Sequence, residues 1–79
     1  MPCLRTVLAD LAEMAESLAD NYERDVGAEE SRAVAQLKAK NTAWAAEAVA
    51  RVAYFRGMVH AYRHMADIIR SQLRALEEE

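Results

Sequence analysis

The chain has 79 residues, a net charge of −3 and a single cysteine, Cys3. A chain this short buries only about 60% of the surface its unfolded form exposes, and its core usually needs a staple or a partner. One cysteine excludes an intrachain disulfide, two glycines and one proline are too few turn formers for a small all-β fold, and 53% hydrophobic residues is not a disordered composition. The abundance of Ala, Leu, Glu, Arg and Met predicts helix.

Residues 4–22 carry one clean period. Leu4, Leu8, Leu11, Ala15, Leu18 and Tyr22 recur at alternating spacings of four and three, the stripe of a heptad helix, with Val7, Ala12, Met14 and Ala19 widening it on both flanks. Pro2 suits a first helical turn, so a helix is expected over residues 3–25. The strongest punctuation follows at Asp25-Val26-Gly27, where a glycine can end a helix in the left-handed conformation, and Glu29-Glu30 suit a new first turn. A second helix is then expected over 28–77. Ala48, Val52, Phe55, Val59, Tyr62, Ala66, Ile69, Leu73 and Leu76 keep the four/three spacing without a slip. With Val52 at heptad position a, the same frame puts Val34 and Asn41 at d and Leu37 and Trp44 at g. A break at Asn41-Thr42, giving a three-helix bundle, is the alternative.

A short turn makes the two helices antiparallel, at roughly 33 and 75 Å by the helical rise. The shorter covers only half of the longer. In the remainder Tyr54, Ala61, Ile68 and Ala75 fall at c, and Met58 and Met65 at g, beside the a/d stripe. An apolar sector this broad marks self-association or a partner site. The expected architecture is one all-α domain, an antiparallel hairpin assembling as a coiled-coil-like homodimer or four-helix bundle. Phe55, Val59, Tyr62, Ile69, Leu73 and Leu76 are its expected oligomer interface.

Charge is divided along the chain. Residues 1–30 hold two arginines against eight acids, residues 31–76 hold eight basic residues against Glu47 and Asp67, and Glu77–Glu79 close the chain. Arg56, Arg63 and Arg70 repeat every seven residues on one line at position e, with His60, His64 and Arg74 beside it. This line is either a solvated face that pairs with the acidic first helix of a sister chain or a docking face for an acidic protein, where arginine is a favoured anchor. Arg56, Arg63, Arg70, His60 and Arg74 are the candidate partner-binding residues. Phosphate contact with nucleic acid is disfavoured by the acidic balance and by the lack of a recognisable motif.

Chemistry-bearing patterns are sparse. His60 and His64 share a helical face with Asp67, but no HExxH, Glu-x-x-His, glycine-rich phosphate loop or nucleophile elbow occurs. No catalytic residue, metal or cofactor is assigned. The start, Met1-Pro2-Cys3-Leu4-Arg5, does not read as a secretory leader, because Asp10 and Glu13 interrupt the apolar stretch, and a cytoplasmic location is expected. The sequence points to a small non-enzymatic helical protein that self-associates and binds another protein as a regulator, inhibitor or adaptor. A nucleic-acid-binding regulator using the basic face and a structural oligomerisation subunit are the alternatives.

Overall fold

The computed structural model describes residues 3–78. Two helices, α1 (Leu4–Lys38) and α2 (Thr42–Glu78), pack antiparallel as a hairpin, with no strand among the described residues. The all-α hairpin expected from the sequence is therefore present, but its turn lies elsewhere. Gly27 sits inside α1 with a negative φ, and the chain reverses at Ala39-Lys40-Asn41 instead. The expected helices over 3–25 and 28–77 are replaced by two of nearly equal length, 35 and 37 residues. The break expected as the alternative, near Asn41, is the real one. Without a turn at Gly27 it yields two helices rather than three. Pro2, expected in the first turn, and the terminal Glu79 lie outside the described residues.

The physical reason for the turn is a C-capping motif built on lysine. Lys40 takes φ 60°, the left-handed region. The Asn41 N–H donates to the Gln36 carbonyl at 2.9 Å and the Lys40 N–H to the Leu37 carbonyl at 3.0 Å, the paired bonds of a Schellman cap. Glycine is the usual residue there, so its absence hid the turn. The Asn41 carbonyl then accepts from the Ala45 N–H at 3.0 Å and opens α2. At the other end Cys3 precedes α1 in an extended conformation, and its carbonyl accepts from the Val7 N–H.

The seam between the helices runs without a slip along α1 through Leu8, Ala12, Ala15, Ala19, Tyr22, Val26, Glu29, Ala33 and Gln36. On α2 it runs through Asn41, Ala45, Ala48, Val52, Phe55, Val59, Tyr62, Ala66, Ile69, Leu73 and Leu76. Its buried apolar members are seven alanines and two valines, and no large side chain is fully enclosed. Small residues at the contact let two helix axes approach closely. Tyr22 fills the middle of the seam, its ring 5.7 Å from Phe55 and 5.9 Å from Tyr62 between centroids, in stacked geometry.

The molecule spans 59 × 19 × 13 Å, one helix thick and two helices wide. Its radius of gyration is 17.7 Å, against about 12 Å for a compact domain of this length.

Candidate interaction surface

The frame places each flank of the seam. In α1, with Ala12 and Ala19 at a, position e carries Glu16, Glu23 and Glu30, while g and c carry Leu4, Leu11 and Leu18 with Val7 and Met14. In α2, with Val52 at a, position e carries Arg56, Arg63 and Arg70, while g and c carry Met58 and Met65 with Tyr54 and Ile68. Antiparallel packing sets e against e and g against g, so the hairpin has one flank crossed by ion pairs and one that is apolar over its open-end half; toward the turn the first also carries Leu37 and Val49, and the second carries Asp25, Arg32, Glu47 and Arg51.

The charged flank is a ladder of three rungs within the chain. Arg56 pairs with Glu30, Arg63 with Glu23 at 2.5 Å and with Asp20 at 3.8 Å, and Arg70 with Glu16. Arg70 donates to Glu16 and holds its carboxyl below the ordinary carboxylate value; the same bond raises Arg70 above its own, and the bond to Glu23 does so for Arg63. The sequence line Arg56, Arg63 and Arg70 thus meets the acids of its own first helix at one constant register. Of the other candidate partner-binding residues, His60 is exposed at b, and Arg74 donates to the Ser71 hydroxyl at 3.1 Å.

A fourth cluster sits in the seam itself. Glu29 is the one buried charged residue among those described, 7% exposed at a d position. Its two oxygens accept from Arg32 at 2.6 Å and Arg51 at 2.9 Å, so each oxygen has a cationic donor. At the open end of the hairpin Arg5 donates to the Leu76 carbonyl at 3.1 Å, tying the start of α1 to the last turns of α2.

The apolar flank is largely uncovered, with Met58 half-buried and Leu18 38% exposed. Leu4, Leu11 and Leu18, expected in the first stripe, lie outside the seam, and Met14, Tyr54, Met65 and Ile68 are likewise exposed. Conversely, the expected oligomer-interface residues face α1: Val59 is buried, and Phe55, Tyr62, Ile69, Leu73 and Leu76 are half-buried along the seam. Trp44, at g near the turn, is 59% exposed.

His60 and His64 are both exposed, and no cluster of three metal-ligating side chains forms among the described residues. Cys3 is exposed, and a hydrogen bond with the Thr6 hydroxyl at 3.3 Å lowers its thiol pKa. Among the described residues no helix is long and apolar enough to cross a membrane. Comparison with known protein families, characterised proteins and solved structures finds no match for this chain.

Proposed function

We propose that this chain is a small non-enzymatic interaction protein, a cytoplasmic helical hairpin that self-associates and binds another protein in the manner of a regulator, inhibitor or adaptor. The observation that carries the proposal is the single-layer build. Stable domains bury the apolar stripe of each element between at least two layers, and this hairpin supplies one. Its accessible surface is 5827 Å², where a compact monomer of 8.9 kDa exposes about 4,800 Å² by the usual surface–mass scaling. The roughly 1,000 Å² excess matches the scale of one partner's share in a standard interface, about 800 Å².

Reading the basic line of α2 as a nucleic-acid surface gains no support, because Arg56, Arg63 and Arg70 each meet a carboxylate of α1. Sedimentation equilibrium across the micromolar range tests self-association, and a folded monomer throughout refutes that part of the proposal. A surface-immobilised chain challenged with duplex DNA at low salt separates the rival: binding that falls steeply with salt would replace the proposal with it. Assemblies that grow without limit as concentration rises would point to a structural subunit.

A further inference from the structure

We infer that the apolar flank of the hairpin seats a second copy of this chain, closing a two-layer four-helix bundle. The inference rests on the interaction reading above and names the surface and its occupant.

The flank is continuous across both helices. The ion-pair ladder sets Glu16 against Arg70 and Glu23 against Arg63, which puts Leu18 and Ile68 at the same level of the hairpin. From Leu4 to Leu18 the c and g positions of α1 hold only Leu, Val and Met. From Met58 to Ala75 those of α2 hold Met, Ala, Ile and a single Gln72. No charge interrupts either run. The open-end half of the molecule therefore presents one uncharged apolar face about 22 Å long by the helical rise.

That composition selects the occupant. A two-fold dimer brings one surface patch against its own copy, so any charge near the axis meets a like charge. This flank carries none over its open-end half, whereas the opposite flank carries three arginines and their acids. The area agrees: the hairpin exposes roughly 1,000 Å² more than a compact chain of its mass, and a stable dimer buries about 800 Å² per copy. Docking flank to flank supplies the second layer and leaves both charge ladders in water.

The test uses the full chain in two forms. Leu11→Lys and Ile68→Lys combined place charges on residues that are 45% and 50% exposed in the hairpin, so the hairpin seam is left intact. Sedimentation equilibrium should show a dimer for the wild type and a dimer dissociation constant raised by more than about a hundredfold for the double variant, since unpaired charges on a buried apolar face cost several kcal/mol. His64→Lys, on the outer face, should leave the wild-type mass. Because the double variant can unfold once undocked, methionine footprinting of the wild type gives an independent reading. Initial peroxide oxidation rates at Met14 and Met65 should fall as concentration carries the chain from monomer to dimer. A double variant that keeps the dimer mass, or a wild-type dimer whose Met14 and Met65 oxidise as fast as in the monomer, overturns the choice of flank while self-association stands. A wild-type chain that stays monomeric overturns the second copy as occupant and self-association with it, leaving the flank to a helix of another protein.

Discussion

Replacing Gly27 and Gly57 by alanine should raise stability, and the first replacement decides where the chain turns. Both glycines lie inside regular helix, at 27 in α1 and 57 in α2, with negative φ. A Cβ built at either position meets nothing within 4 Å, so neither alanine clashes. What remains is the intrinsic helix preference, about 0.5–1 kcal/mol in favour of alanine per site. With no shared neighbours the two changes should add, giving about 1–2 kcal/mol. For a chain of this size each kcal/mol moves the thermal midpoint by about 4–8 °C, so the double variant should melt several degrees higher. Far-UV circular dichroism melts at matched protein concentration make the measurement, since the proposed association would make the midpoint concentration-dependent. Had the chain turned at Gly27 with a left-handed backbone, alanine there would be strained and the midpoint would drop. A lower midpoint for Gly27→Ala alone therefore refutes a continuous α1.

Ala19→Leu, at a seam position with 0% exposure, should overpack the contact and cost about 1–3 kcal/mol, seen as a lower urea midpoint. Glu29→Leu should hold or raise the thermal midpoint, because the Arg32 and Arg51 side chains are 59% and 41% exposed and stay solvated once the one buried charge is gone, whereas Glu29→Lys, set against both, should cost about 3–5 kcal/mol. Arg63→Glu should lower the midpoint at low salt and Glu23→Arg added to it should restore it, because the two face each other across the seam; a double variant no better than the single refutes the register. Arg70 lowers the Glu16 pKa, so this pair contributes stability that is present above the ordinary carboxylate pKa of about 4.3 and is lost as pH falls through the lower folded value. Melts from pH 6 down to pH 2 should show an acid loss that Glu16→Gln reduces.

The helical class and the α2 seam were legible because that seam is marked by large residues. Val52, Phe55, Val59, Tyr62, Ile69, Leu73 and Leu76 announce a four/three period by volume alone. The α1 seam was not legible in the same way. Its contact residues over the first half are chiefly alanines, and leucines at Leu4, Leu11 and Leu18 drew the frame one position aside, onto the uncovered flank. Helix contact through alanine depends on how closely two axes approach, which no single-strand period records. The turn was missed for a related reason. Gly27 has the residue type that a C-cap prefers, while Lys40 has only the hydrogen-bond geometry, with Asn41 and Lys40 bonded back to Gln36 and Leu37. The line of Arg56, Arg63 and Arg70 was legible as a line, but its acidic counterpart depended on where the chain reversed. A turn near residue 40 sets Glu16, Glu23 and Glu30 opposite it; a turn at Gly27 could not.

Placing the turn at Lys40 also changes why this chain should associate. With helices of equal length, no half of α2 lacks a neighbour, so unmatched length gives no reason for a partner. The reason shifts from length to width: two helices laid side by side can each cover only one edge of the other. Here the two remaining edges differ in chemistry. The e edge carries facing carboxylates and guanidiniums at a fixed register, which suits a flank that stays in water and keeps the helices aligned, since exposed pairs fix geometry more than they add stability. Over its open-end half the c/g edge carries leucines and methionines whose exposure to water is unfavourable at about 25 cal/mol per Å². Alignment is thus supplied within the chain, and the c/g edge is the one we propose for docking. A mutation in the ladder should alter how the hairpin closes, and one on the c/g edge should alter what the closed hairpin holds. That separation lets a chain of 79 residues keep a defined shape while most of its uncovered apolar surface remains available for docking.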